Sequence, residues 1–291
     1  MLHSITDSTT IIQALEKHNY IAGEELATAL FLLLKLNKPL LLEGPPGIGK
    51  TELALVLAEL LNTNLIRLQC YEGLDINTAV YEWNYQKQLL GIKLQEAGNL
   101  SIKEKEKHIF GSDYLLKRPL LQSISAADKS PVLLIDEIDR SDEEFEAFLL
   151  ELLSSFQISI PEIGTIKAKH KPFVILTSNR TRELSDALKR RCLYQWIDYP
   201  ELEMEMAIVQ KKLPGIEYNL LKQVVTCVQK FRQLKLAKTP GVSETIDWAE
   251  ALMALGYREV NATAFQQTLG SVLKTAGDIN HVKIEGFEAF K

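Results

Sequence analysis

Five short apolar runs stand apart along the chain: Leu40–Leu42, Leu65–Gln69, Val132–Ile135, Phe173–Thr177 and Tyr194–Ile197. They are continuous rather than alternating, as in strands covered on both faces of a parallel sheet. Between them the period lengthens to that of helices, at Thr51–Leu61 ("TELALVLAELL"), Ser141–Phe156 ("SDEEFEAFLLELLSSF") and Arg182–Arg191. Ser141 is placed to cap the second of these, with Asp142, Glu143 and Glu144 near its positive end. This alternation predicts an α/β layered domain with a parallel sheet. Beyond Tyr199-Pro200 only helical periodicity remains, with turn signals near Pro214-Gly215, Pro240-Gly241 and Gly256. The expected organisation is an α/β core over 1–200 and a small all-helical domain over 201–291. The segment from Gln88 to Arg118 is the least regular, and its alternating charges at Lys103–Lys107 ("KEKEK") read as a solvated face.

Composition adds limits. The chain has 291 residues, 46% of them apolar, which is ample for one large domain or a large and a small one. A formal charge of -5 offers no general attraction for nucleic-acid phosphates. The local exception is "KAKHK" at Lys167–Lys171, read as a solvated turn because no aromatic residues interleave for base stacking. Cys70, Cys192 and Cys227 are odd in number and lack CxxC spacing, which argues against a disulfide framework or zinc site and for a reducing compartment. The opening "MLHSITDSTT" lacks the features of a signal peptide, and the apolar stretch Ala27–Leu34 is too short to span a bilayer. That stretch is expected to be a buried helix, and the chain to be cytoplasmic.

The chemistry is concentrated at strand ends. Gly44-Pro45-Pro46-Gly47-Ile48-Gly49-Lys50-Thr51 has the full G-x-x-x-x-G-K-[ST] spacing of a phosphate loop, between a strand and an amphipathic helix. Its glycines let backbone N–H groups turn toward phosphate oxygens, and the helix adds its N-terminal dipole. Lys50 would reach the β- and γ-phosphates of ATP, and Thr51 would ligate Mg²⁺. Glu52, next along the helix, completes the candidate nucleotide-contacting set. "VLLIDEID" at Val132–Asp139 ends a buried strand on two carboxylates: Asp136 is the candidate Mg²⁺ partner and Glu137 the group that activates water. "FVILTSNR" brings Asn179 to the same edge, where a neutral amide can hold the attacking water. Arg190 and Arg191, in "DALKRRCLY", either complement a negative helix end or form an arginine finger toward a neighbouring subunit. The finger is the preferred reading, with Arg191 ahead of Arg190.

In this order the four elements resemble an AAA+ ATPase, with Walker A at 44–51, Walker B at 132–137, sensor 1 at Asn179 and a finger at Arg191. "YIAGE" at Tyr20–Glu24 resembles the stretch that packs against adenine in that superfamily, which adds Ile21 and Ala22 to the candidate nucleotide contacts. "CYEGLDINTAVYEWNYQKQLL" (Cys70–Leu90), "DEEFEAFLLELLSSFQISIPEIGTIKA" (Asp142–Ala168) and "NRTRELSDALKRRCLYQWIDYP" (Asn179–Pro200) are similar to the MoxR family, especially its branch associated with carbon-monoxide-dehydrogenase maturation. The resemblance runs from about residue 20 into the helical lid. It implies a five-stranded sheet of order 5-1-4-3-2, an insertion in the second helix at about 88–120, a hairpin at Ile158–Ala168 and a ring, usually a hexamer. It also implies a chaperone-like motor that works with a separate von Willebrand factor A domain protein on a metalloenzyme client. One departure stands out: "GVSETIDWAEAL" (Gly241–Leu252) has no arginine where many relatives carry a sensor 2 residue, and Glu244 or Thr245 occupies its place. The competing readings are a DNA-handling AAA+ loader or translocase and a nucleotide-gated scaffold.

Overall fold

The computed structural model describes residues 5–95 and 109–291 of the chain. Its central sheet has five parallel strands: β1 (Leu40–Glu43), β2 (Leu65–Gln69), β3 (Val132–Asp136), β4 (Phe173–Ser178) and β5 (Leu193–Trp196). They lie side by side in the order β5-β1-β4-β3-β2, the order implied by the resemblance. Residues of β1, β3 and β4 alternate between two cores, one on each face. Leu41, Leu133, Ile135, Val174 and Leu176 enter one, and Leu40, Leu42, Val132, Leu134, Phe173 and Ile175 the other. Two covered faces leave no exposed side for polar residues, so these strands read as unbroken apolar runs.

On one face lie α1 (Ser8–Lys17), α2 (Glu24–Leu36) and α3 (Lys50–Leu61). The Ala27–Leu34 stretch falls inside α2, where Ala27, Leu30 and Leu33 are fully buried. After β2 come α4 (Ile76–Ala79), α5 (Tyr85–Gln95) and α6 (Pro119–Ile124). Tyr81–Trp83 pairs antiparallel with Leu115–Lys117, so the excursion between β2 and β3 starts earlier than the 88 expected. Strands of three residues carry too few positions for a period of two to register. Lys103–Lys107 lies outside the described residues.

The helix α7 (Glu143–Ser155) follows β3, and its cap differs from expectation. Asp142 accepts from the Phe145 amide at 2.8 Å, whereas the Ser141 hydroxyl is drawn back to the Ile138 carbonyl at 2.8 Å. Gln157–Ile160 and Gly164–Lys167 form the expected hairpin. The helix expected over Arg182–Arg191 shrinks to α8 (Asp186–Lys189). Arg182 is held instead in a loop, donating to the Ser141 carbonyl at 2.9 and 2.7 Å, and the Ser185 hydroxyl caps the short helix.

Beyond residue 200 every regular element is helical: α9 (Leu202–Lys212), α10 (Tyr218–Arg232), α11 (Val242–Ala254), α12 (Ala262–Val272) and α13 (Ala276–Glu285). They enclose a separate core around Phe231, Trp248 and Phe265, each buried side chain contributing about 2 kcal/mol or more. The Trp248 indole N–H donates to the Thr268 hydroxyl at 2.7 Å, so its burial leaves no polar atom unpaired. Within this region Glu205 and Arg232 form a buried ion pair, with Thr245 and Gln229 donating to the same carboxylate. Among the described residues no helix is long and apolar enough to cross a membrane.

Candidate functional site

The loop from Gly44 to Gly49 leaves the end of β1 and runs into α3 at the carboxyl edge of the sheet. Gly44 is pressed against β5's exit: a Cβ there would lie 2.0 Å from the Ile197 carbonyl oxygen. Gly49 turns at φ +90° just before α3, a conformation glycine adopts freely, and so presents the helix N-terminus to the loop's concavity. The Lys50 ammonium is folded over this loop, donating to the carbonyls of Gly44 (2.6 Å) and Pro45 (2.7 Å). Burial lowers its pKa to about 8, against the opposing pull of the Asp139, Asp136, Glu137 and Glu43 carboxylates. A lysine that already leans on borrowed carbonyl oxygens is ready to exchange them for phosphate oxygens.

Asp136 ends β3 beside that lysine. Its Oδ1 accepts from the Thr51 hydroxyl at 3.0 Å and the Thr177 hydroxyl at 2.5 Å. Thr51 and Asp136 therefore offer two hard oxygen donors at the phosphate loop, which fits a magnesium ion that completes its shell with phosphate and water. No cluster of three or more His, Cys, Asp or Glu residues able to hold a metal occurs among the described residues. Glu137 has φ +54°, and its amide donates to the Thr177 hydroxyl at 2.9 Å. One threonine thus ties the backbone of Glu137 to the carboxylate of Asp136. The Glu137 carboxylate pairs with Arg140 at 3.2 Å and remains part-exposed.

Asp139 was not among the residues singled out from the sequence, yet it shapes the Asn179 loop. Its buried carboxylate accepts from the amides of Asn179 (3.2 Å) and Thr181 (2.9 Å) and from the Thr181 hydroxyl (2.7 Å). Glu43, also buried, accepts from Ser178 at 3.2 Å and from Tyr194 at 3.1 Å, linking the start of the phosphate loop to β4 and β5. Both acids were visible in "VLLIDEID" and "LLLEG", but a single carboxylate does not announce which backbone it will hold.

One cleft of about 350 Å³ opens at this edge, within the usual range for small-molecule sites, and Glu43, Gly44, Pro45 and Asp139 are not in its lining. Pro46 to Glu52, Asp136, Glu137, Thr177 and Asn179 line it from the sheet side, with Tyr20 and Ile21 at one end. Ala22 does not face the cleft; it is buried in the core beneath α2. Ile208, Lys212, Val242, Ser243 and Ile246 close it from the helical C-terminal region, a contribution the sequence reading left unassigned. The Lys212 ammonium pairs with the Glu52 carboxylate across this boundary. Neither Glu244 nor Thr245 lines the cleft. Glu244 accepts from the Gly241 amide at 2.8 Å, and Thr245 donates to Glu205 at 2.7 Å. Arg190 and Arg191 lie away from the cleft and exposed, with Arg191 donating to the Ser154 hydroxyl at 2.7 Å. The three cysteines are all free, and burial pushes each thiol up to about 12, so none is a ready nucleophile.

A parallel sheet with this loop and acidic pair at its carboxyl edge defines a P-loop nucleotide-binding protein. The chain belongs to the AAA domain family, dynein-related subfamily, whose model matches residues 39–192, more than half of its length. At family level this is a nucleotide-hydrolysing ATPase. The chain is similar to an uncharacterised protein of Staphylococcus haemolyticus, 28% identical over 252 residues that cover 82% of this chain and 85% of that one. It is also similar to the Holliday junction branch migration complex subunit RuvB of Fervidobacterium nodosum, 25% identical over 66% of this chain and 48% of that protein. Among solved structures a mutant of Thermotoga maritima RuvB superposes with a TM-score of 0.50 at 18% identity, covering 92% of this chain and 71% of that one. That likeness shows the shared fold.

Proposed function

We propose that the chain is an ATP-hydrolysing AAA+ motor of the MoxR type that remodels a protein client. The observation that carries this reading is the convergence of Lys50, Thr51, Asp136, Glu137 and Asn179 on one cleft closed by C-terminal helices. In this reading 1–200 is the nucleotide-binding core, with an insertion between β2 and β3, and 201–291 is the lid. Lys50 binds the β- and γ-phosphates, while Thr51 and Asp136 would hold Mg²⁺, which would supply charge neutralisation at the phosphates. Glu137 accepts the proton of the attacking water, and Asn179 orients that water. Arg191, or Arg190 beside it, completes the site of a neighbouring subunit in a ring, with a hexamer as the expected assembly. The stretches Cys70–Leu90, Asp142–Ala168 and Asn179–Pro200 support a separate von Willebrand factor A partner and a metalloenzyme client whose assembly or cofactor insertion the motor assists.

Steady-state hydrolysis tests the core of this reading. Glu137→Gln is expected to lose turnover by roughly a hundredfold or more while still binding ATP. Hydrolysis at the wild-type rate would remove Glu137 from the role of base. The same variant, trapped with ATP, is expected to capture the von Willebrand-type partner and the metalloenzyme.

A second reading, a DNA-handling loader or translocase, is favoured by the similarity to RuvB proteins and by the basic stretch Lys167–Lys171. It predicts salt-dependent DNA binding that stimulates the ATPase, and a replication or repair partner in the trap. A nucleotide-gated scaffold, by contrast, would keep its cellular activity in Glu137→Gln.

A further inference from the structure

Both carboxylate oxygens of Asp136 have hydrogen-bond partners within the protein. Two hydroxyls satisfy Oδ1, from Thr177 at 2.5 Å and Thr51 at 3.0 Å. Oδ2 accepts from Nη2 and Nε of Arg67 at 2.6 and 3.1 Å. Arg67 projects from β2, the strand that pairs with β3. The two partners differ in freedom: the Asp136 side chain is 3% exposed and that of Arg67 52%. The carboxylate has nowhere to go, whereas the guanidinium has solvent on its far side. Arg67 also has a second acceptor, because the same Nη2 donates to Gln69 Oε1 at 2.6 Å on its own strand.

We propose that Arg67 is a built-in place-holder for the divalent cation at Asp136. It neutralises the buried carboxylate in the empty site and yields Oδ2 to the metal when the nucleotide complex loads. This rests on the reading of Thr51 and Asp136 as the Mg²⁺ position. Two consequences follow from electrostatics. A buried carboxylate stripped of its ion-pair partner costs folding stability, so the fold without bound metal leans on Arg67. A cation held against the same oxygen also competes with Mg²⁺, so the loaded site is weakened by it. Arg67 is therefore a positioning residue that touches the metal's carboxylate and sets how much magnesium is needed, with Gln69 as its resting partner once displaced.

The test reads binding and stability, independent of turnover. Wild type, Arg67→Gln and Arg67→Lys chains are titrated with Mg²⁺ while the fluorescence of bound N-methylanthraniloyl-ADP is followed, and thermal unfolding is recorded with and without Mg²⁺-ADP. Arg67→Gln is expected to lower the Mg²⁺ half-saturation at least about fivefold, the guanidinium's half-exposure limiting the effect. Its empty form is expected to unfold earlier than wild type, with the gap narrowing when Mg²⁺-ADP is bound. Arg67→Lys is expected to shift the half-saturation the same way but less, because an ammonium cannot make the two-pronged contact. A purely structural arginine would weaken the fold without tightening the metal. An unchanged or raised half-saturation in Arg67→Gln, or in Arg67→Lys should the former not fold, overturns the place-holder role. A wild-type nucleotide complex indifferent to Mg²⁺ would overturn the metal-site reading itself, and this inference with it.

Discussion

The amide of Ser243, in the first turn of α11, donates to the carbonyl of Gly47 in the phosphate loop at 3.0 Å. The C-terminal helices thus touch the nucleotide loop by backbone, at the place where an arginine side chain is absent. Gly241 makes the approach possible, since a Cβ on it would lie 2.7 Å from the Pro46 carbonyl and 3.0 Å from the Gly47 Cα. These two neighbours are backbone and cannot rotate out of the way, unlike the Glu244 carboxylate, whose oxygen would also lie 3.0 Å away.

Gly241→Ala is therefore expected to lift α11 from the loop or strain it, at about 1–3 kcal/mol. Nucleotide affinity measured by fluorescence titration should fall about fivefold or more. Wild-type affinity and melting temperature together would show that the contact is dispensable.

Asp139 holds the Asn179 loop through three hydrogen bonds, and alanine there would leave two part-buried amide donors without their acceptor. The expected cost is about 1–3 kcal/mol. Because the loop positions Asn179 rather than the phosphates, kcat should drop by more than ATP affinity does. Equal losses in both would mean that Asp139 acts only on stability.

Lys50 gives a signed pH dependence. Its pKa is depressed to about 8 from 10.5, chiefly by burial. Between these values the folded chain binds fewer protons than the unfolded one, so this group makes stability rise as pH rises from 8 to 10.5. Nucleotide binding should do the reverse, because phosphates favour the charged ammonium. Calorimetry in two buffers of different ionisation enthalpy should find proton uptake on ADP binding at pH 9 and none from this group at pH 6.5. Lys50→Arg, charged throughout, should abolish the uptake.

Arg191→Ala should bind ATP like wild type and lose turnover roughly a hundredfold or more if the residue serves a neighbouring subunit. Mixing it with Lys50→Ala subunits then gives some interfaces an intact pair of halves, and hydrolysis should partly return. Weakened ATP binding in Arg191→Ala, with no recovery on mixing, would assign it instead to holding Ser154 and the Ala187 carbonyl.

Glu205 is fully buried against Arg232 and accepts from Thr245 and Gln229 as well. Glu205→Ala would strand a buried guanidinium at a cost of about 3–5 kcal/mol, seen as early unfolding of the C-terminal helices. Since Arg232 also donates to the Pro240 carbonyl at 2.9 Å, the start of α11 and its contact with Gly47 should loosen too.

The chain's linear pattern determined the five strands, the helical character of the region beyond 200, and the loop, acidic pair and Asn179 at the strand ends. The reason is local: the three central strands, covered on both faces, must be apolar throughout, whereas the edge strands β2 and β5 are only partly covered, and a phosphate loop needs its glycines and lysine at set spacing. Tertiary structure alone decided which groups those ends would meet. Arg67 reaches Asp136 only because β2 lies beside β3, and Thr177 bridges Asp136 and Glu137 only because β4 lies on the other side. The same holds for Lys212, which meets Glu52 on α3, and Ser243, which meets Gly47 in the loop, each from a helix more than a hundred residues downstream. A single carboxylate or amide in a sequence carries no sign of its partner. Its hydrogen bonds are set by the order of strands and the docking of helices, both of which follow from buried area summed over the whole fold.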